Sequence, residues 1–251
     1  MGWSTADRIV VRGLDLTKDV LGKVSLGDFA FLELKGRLPT PQESIVFNAL
    51  VVTLVEHGMT PSAIAARMTY FGAPEALQAG VAAGILGMGD RFGGSIEQAA
   101  RMLQEALTGQ AEDADLAAIA RAVVADHKAR KKVIGGLGHP IHKPIDPRTP
   151  KLFAIAAENG LSGRYVKLME LIGAEATASY GRELPVNATG AIGAIASELD
   201  FNWRVGRGLA VMARAIGLVG HLQEEMNEPM AAEIWARVDE ETSGDSPLGQ
   251  D

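Results

Sequence analysis

From Ser95 to Leu107, and again from Leu116 to Arg130, apolar residues recur at helical spacing and predict two amphipathic helices. A third helix is predicted from Thr40, where Thr40-Pro41-Gln42-Glu43 supplies in turn an N-cap, an N1 proline and a capping-box glutamate. It runs through Ile45, Val46, Phe47, Leu50, Val51 and Leu54 to a glycine stop at Gly58, apolar nearly all round, and so reads as buried on most sides. Asn48, Thr53 and its short length set it apart from a membrane span, which needs about 20 apolar residues. Ser25, Thr60-Pro61 and Thr149-Pro150 mark further helix starts. Helices are also predicted from Thr149 to Asn159, around Arg164 to Ile172, and after Leu184 to Gly193. Between Arg8 and Arg12 the Ile-Val-Val run suggests a strand, but no partner run of comparable β-character follows nearby, so a minor element is expected.

The last long helix, about Gly206 to Met226, carries Arg207, Arg214 and His221 at intervals of seven. Seven residues turn a helix by about 700°, nearly two turns, which puts the three on one face. Leu209, Val211, Ile216, Leu218 and Val219 leave little room for an exposed face, so Arg214 is expected to be buried, and a buried arginine needs a carboxylate. The polar stretch 239–251 is expected to be a flexible tail.

With 251 residues, 47% of them hydrophobic and 22% charged, the chain can bury a substantial core. It has no cysteine, which excludes disulfides, thiolate nucleophiles and cysteine-based zinc sites, and its histidines show no metal-binding spacing. No metal is expected. The first residues lack an apolar core segment, so a cytoplasmic location is expected, with no membrane attachment. A formal net charge of −7 disfavours nucleic-acid binding, and any anionic ligand must be held by local cations against that field.

Such cations stand in Gly135-Gly-Leu-Gly-His-Pro-Ile-His-Lys-Pro-Ile-Asp-Pro-Arg148. Glycines let backbone approach a ligand closely, while His139, Lys143 and Arg148 offer a titratable group and two cations. The run resembles the Gly-Phe-Gly-His-(Arg/Pro)-Val-Tyr-Lys-x-x-Asp-Pro-Arg signature of the citrate synthase family, and keeps its chemically active positions in His139, Lys143, Asp146, Pro147 and Arg148. Val55-Glu-His57-Gly, followed by Ser62, Ala65, Ala66 and Arg67, is similar to the family's first active-site histidine segment. Read from the residues alone, a histidine in the last turn of a helix also suits the macrodipole and needs no function. Gly89-Asp-Arg-Phe-Gly-Gly94 resembles the citryl-CoA lyase branch, whereas citrate synthases proper carry a catalytic histidine where this chain has Phe92. The Lys128–Lys132 cluster reads first as a solvated helix end suited to the macrodipole, and its adjacency to the central run keeps a phosphate contact open.

The resemblance spans Arg8 to Val238 and implies an all-α fold of two helical domains, with the active site in the cleft between them. Residues 1–94 and 201–238 would form a large domain and 95–200 a small CoA-binding domain. It implies a homodimer or dimer of dimers acting on an acyl-CoA and a small oxo or hydroxy carboxylate, with coenzyme A entering as substrate or product thioester. Making or breaking a carbon–carbon bond beside a thioester passes through an enolate, which requires a proton donor near the thioester oxygen and a group that moves the hydroxyl proton. The resemblance gives these roles to His57 and His139, in either order. It implies that Arg148 and Arg214 clamp carboxylates, that Gly136, Leu137 and Gly138 meet the adenine, and that Lys143 stands near a phosphate.

Two positions depart from the family. Where it has Asn-Val-Asp, with the aspartate as base, this chain reads Asn187-Ala188-Thr189, and threonine cannot take a proton at neutral pH. A substrate-binding arginine near the C-terminal Arg-Pro is also missing, the matching place being Met226-Asn227-Glu228-Pro229. Three classes therefore stand open: a carbon–carbon lyase, other thioester chemistry such as hydrolysis with Thr189 or Asn187 positioning water, and CoA binding without catalysis.

Overall fold

The computed structural model describes residues 1–90, 93–139 and 144–243. The fold is all-α apart from a small sheet at the start. Strands β1 (Gly2–Ser4), β2 (Ile9–Val11) and β3 (Leu14–Asp15) pair antiparallel in that order, with Trp3 opposite Val10 and Val10 opposite Asp15. The Ile-Val-Val run thus has partners on both sides, too short to register as β-runs by composition. A π-helical turn, Leu16–Val20, follows, capped by Asp15 through the N–H groups of Thr17 and Lys18.

Eleven α-helices and a 3-10 turn, Trp203–Val205, follow among the described residues. The helices are α1 (Leu26–Lys35), α2 (Pro41–Val55), α3 (Pro61–Gly72), α4 (Leu77–Leu86), α5 (Gly94–Leu107), α6 (Leu116–Ala129), α7 (Arg148–Glu158), α8 (Arg164–Tyr180), α9 (Ala188–Glu198), α10 (Gly206–Asn227) and α11 (Ala231–Ser243). The chain forms two compact units, one of residues 1–53 and 95–207, the other of residues 54–94 and 208–251. It passes between them at the end of α2 and at the starts of α5 and α10. The expected grouping of residues 1–53 with 54–94 is not the one these units follow.

In the first unit, an aromatic trio joins the N-terminal helices to the segment after α9. Phe31 and Phe47 meet edge to face at 5.3 Å, and Phe201 lies 5.6 Å from each. The backbone of α1 approaches α2 so closely at Gly27 that a Cβ there would overlap the Asn48 amide, which itself donates to Asp28. At the start of α2 the expected capping box forms in both directions: Thr40 N–H donates to Glu43 Oε2 at 2.8 Å and Glu43 N–H to Thr40 Oγ1 at 3.2 Å. With Arg37 bonded bidentately, the Glu43 carboxyl is held down to about 2. α2 buries Val46, Phe47, Leu50 and Val51, but Ile45 is 54% and Val52 70% exposed. Its apolar residues run all round, while only one face is covered within the chain.

Two other helix ends differ from expectation. α7 begins at Arg148, one residue before the expected Thr149-Pro150 start, with Pro147 at the cap position, and the Asp146 carboxylate accepts from Arg148 N–H at 3.1 Å. The Thr149 hydroxyl instead donates to Val186 O at 3.0 Å. α11 continues to Ser243, so residues 239–243 of the expected tail are helical, and 244–251 lie outside the described residues.

The second unit packs α3, α4, α10 and α11. Gly84 lies inside α4, where a Cβ would come within 2.8 Å of Ser62 O and 2.7 Å of Leu218 Cδ1. That glycine serves close helix packing. Ala66, Leu218 and Leu222 form the core here, joined by Tyr70, Leu77, Val81 and Ile85.

Candidate active site

In the first unit, the glycine run is folded against the N-terminus of α9. Leu137 forms an antiparallel bridge with Val186, Gly138 N–H donates to Pro185 O at 2.7 Å, and Asn187 N–H donates to Gly136 O at 2.9 Å. Gly136 has φ +86° and Gly138 φ +71°, a region glycine enters without penalty. A Cβ on Gly136 would stand 2.5 Å from the Cα of Gly190, so this crossing needs glycine for space as well as for φ. The half-buried His139 follows directly.

Asn187 and Thr189 complete this corner. The Asn187 Oδ1 caps α9, accepting from the N–H groups of Thr189 and Gly190 at 3.0 and 3.1 Å and from the Thr189 hydroxyl at 2.7 Å. Its Nδ2 donates to Gly138 O at 2.6 Å. The side chain of Asn187 is therefore engaged at both ends, and Thr189 gives its proton to Asn187.

The same corner holds a buried carboxylate. Asp146 accepts from Arg148 Nε at 3.0 Å, from Arg148 Nη2 at 2.8 Å and from Ala188 N–H at 2.9 Å. Burial works against its charge, but the Arg148 guanidinium and these backbone donors prevail and hold the carboxyl down to about 2. Arg148, one of the two expected carboxylate clamps, thus meets a carboxylate of its own chain while its side chain stays 29% exposed. The linkage sign is that of a depressed acid: its contribution is present above the ordinary 3.8 and is lost as pH falls through about 2. Asp146→Asn is expected to lower the urea midpoint at neutral pH and to flatten its decline between about pH 4 and pH 2. Unchanged midpoints at both ends of that window would rule out this role.

A cavity of about 340 Å³ lies beside the glycine corner, lined by Lys128, Lys131, Lys132, Arg182, Tyr180 and Leu137 among others. Lys128 Nζ donates to Ser179 O at 2.6 Å and sits 5.4 Å from the Tyr180 ring centre. Lys128, Lys131, Lys132 and Arg182 are exposed and line one concave surface in a chain of net charge −7.

Two further expected residues, His57 and Arg214, lie in the second unit. His57 stands two residues past the end of α2 rather than in its last turn, and is exposed. The Glu56 carboxylate accepts from the N–H groups of both His57 and Gly58. Burial opposes that charge, but these bonds and His221 outweigh it, so Glu56 falls below its ordinary value. Arg214 is 9% exposed, as the heptad pattern suggested, and its buried Nη1 has no hydrogen-bond partner among the described residues. Burial pulls its pKa down, opposed by the nearby Glu56 charge. An arginine in this state accepts a carboxylate readily.

The same unit holds a charged cluster that sequence reasoning did not assemble. The fully buried Arg67 donates Nη1 to Glu225 Oε2 at 2.8 Å, Nη2 to Glu224, and Nε and Nη2 towards His221 Nδ1 at 3.3 and 3.1 Å. Arg67 and His221 were each visible, one in a motif and the other in the heptad, but 154 residues separate them. Lys143 and Phe92 lie outside the described residues, as do Pro140, Ile141 and His142.

The family described as "Citrate synthase, C-terminal domain" matches residues 13–235. The solved structure of citryl-CoA lyase from Hydrogenobacter thermophilus is 36% identical with a TM-score of 0.82, over 91% of this chain and 86% of that one. ATP citrate lyase from Methanothrix soehngenii, solved with citrate and coenzyme A, shares the fold at 24% identity and TM-score 0.76, over 90% of this chain and 38% of that one. ATP-citrate synthase beta chain protein 2 of Arabidopsis thaliana is 27% identical over 206 residues, 75% of this chain and 33% of its own length. The chain spans about a third of the length of the first curated relatives it matches.

Proposed function

The chain belongs to the citrate synthase family, in its citryl-CoA lyase branch, and from that premise we propose an enzyme that cleaves or forms a carbon–carbon bond beside a CoA thioester. A hydroxyacyl-CoA would be taken to an acyl-CoA and an oxo acid. The observation that carries the reading is the glycine corner of Gly136–Gly138 on α9, with its cationic cavity. Beside Gly138, where a Cβ would meet nothing nearer than Leu184 at 3.7 Å, the backbone lies open to a ligand, and the cavity offers cations for phosphates, which is what the chemistry of coenzyme A requires.

His57 and His139 handle the two protons, one donating towards the thioester oxygen and the other moving the proton of the hydroxyl. Arg214, with its buried unsatisfied nitrogen, binds a carboxylate of the oxo or hydroxy acid, and Arg148 a second one. Lys143 stays a phosphate ligand in this proposal. So do a homodimer or dimer of dimers, for which the exposed Ile45 and Val52 of α2 give apolar surface to cover, and a cytoplasmic setting.

Mass spectrometry of a panel of acyl-CoAs incubated with the protein tests the reading. Citryl-CoA is expected to disappear as acetyl-CoA and an oxo acid form. Release of free CoA from thioesters instead would mean hydrolysis, and binding with no reaction a non-catalytic homologue. These alternatives draw support from Thr189, which stands at the place of the family's base and donates its proton to Asn187. A missing base costs roughly 10²- to 10⁴-fold, so methyl protons of acetyl-CoA are expected to exchange slowly with deuterium oxide on this protein. Thr189→Asp is expected to speed that exchange, and an added charge in the first turn of α9 suits the helix dipole. Proton NMR reads both rates; fast exchange on the unmodified chain would mean that another residue is the base.

A further inference from the structure

We propose that Arg67, His221 and Glu56 form a positioning chain that sets the backbone carrying His57, an inference that rests on reading His57 as catalytic. Arg67 is fully buried and stays protonated, with no acceptor to offer, so the His221 Nδ1 it faces must present a lone pair. The ring is therefore the neutral tautomer with its proton on Nε2, which donates to Glu56, 3.1 Å from Oε1 and 2.9 Å from Oε2. Glu56 passes the constraint on by accepting from His57 N–H at 2.8 Å and from Gly58 N–H.

The physical need for such a chain lies in the exposure of its last member. The Glu56 side chain is 48% exposed, and an exposed carboxylate exchanges its partners readily with water. His221, only 8% exposed and fixed by the buried guanidinium, holds that carboxylate on the turn. Arg67 is fixed in its turn by Glu225, whose other oxygen accepts from Met230 and Ala231 N–H at 3.0 and 2.9 Å at the start of α11. α10 also constrains the peptide just before: a Cβ on Gly217 would stand 2.0 Å from Val55 O, so at this point the helix touches the backbone leading into His57. Gly217 and His221 are one turn apart on α10, and Arg214 lies one turn before. One face of α10 thus offers the proposed carboxylate ligand, a close backbone seat and the histidine that anchors Glu56.

Three variants test the chain: Glu56→Gln, His221→Phe and His221→Gln. In ¹⁵N-histidine NMR spectra the unmodified protein is expected to show His221 as the neutral Nε2–H tautomer at pH 7. The His57 ring resonances and titration midpoint are expected to move in Glu56→Gln and His221→Phe. For the thioester that the unmodified protein cleaves, kcat is expected to fall on the order of 10- to 100-fold in both, with KM for the thioester changed less than about threefold. His221→Gln, whose amide can accept from Arg67 and donate to Glu56, is expected to recover part of the kcat lost in His221→Phe. Glu56 is half exposed, so its variant reports even where His221→Phe fails to fold. Unmoved His57 signals in folded Glu56→Gln would overturn the proposal, as would unchanged kcat in every folded variant. A protein that cleaves no thioester refutes the catalytic reading of His57 by itself, while the NMR spectra still decide whether the chain positions it.

Discussion

Arg67→Met is expected to lower the unfolding free energy by about 3–5 kcal/mol, the cost of breaking a buried ion pair by removing one partner. Methionine keeps much of the side-chain volume, so the loss is electrostatic more than steric. Glu225, with its side chain 3% exposed, would keep two backbone donors and lose the guanidinium paired with it. His221 Nδ1 would lose its donor at the same time. Urea unfolding at neutral pH measures the effect, and for a chain of this size it corresponds to a melting temperature lower by roughly 6–20 °C. Arg67→Lys is expected to fall between, since one ammonium replaces a planar fork that reaches His221, Glu224 and Glu225 together. A loss below about 1 kcal/mol in Arg67→Met would show that the cluster contributes little net stability.

The second large effect is on turnover. His57→Ala and His139→Ala are each expected to reduce kcat by roughly 10²- to 10⁴-fold for the thioester that the protein cleaves, with CoA binding retained. The two residues sit on differently built supports. His139 follows a peptide bonded on both sides, Gly138 N–H to Pro185 O and Gly138 O from Asn187 Nδ2. His57 depends on the carboxylate of Glu56. If both act in one step, the double variant is expected to be little worse than the weaker single variant, because groups acting as a unit are not additive. Stopped-flow or steady-state kinetics decide it; a loss below about tenfold in either single variant would remove that histidine from the chemistry.

Local features were legible in the sequence and non-local ones were not. The capping box of Thr40 and Glu43 needs only four consecutive residues and forms as read. The burial of Arg214 followed from its apolar neighbours on one helix. The helix expected from Thr149 forms one residue earlier, from Arg148, because Pro147 stands at the cap position. The role of His221 was hidden because its partners come from α3 and from the end of α2. Asn187 is legible as a cap, whereas its reach to Gly138 O joins residues 49 apart. Residues 239–243 read as the start of a tail because they are polar, yet they continue α11 from Ala231.

The bridge between Leu137 and Val186 closes a loop of 186 − 137 = 49 residues that contains α7 and α8. Closing so long a segment costs entropy before any contact returns it, so the glycine corner forms only once α9 has docked on its neighbours. Amide exchange should therefore report the corner as one cooperative unit, with Gly138 and Asn187 N–H opening together. The backbone that would receive a nucleotide does not exist in a partly folded chain, and a ligand bound there stabilises the folded state by an amount that grows with the logarithm of its concentration above its dissociation constant.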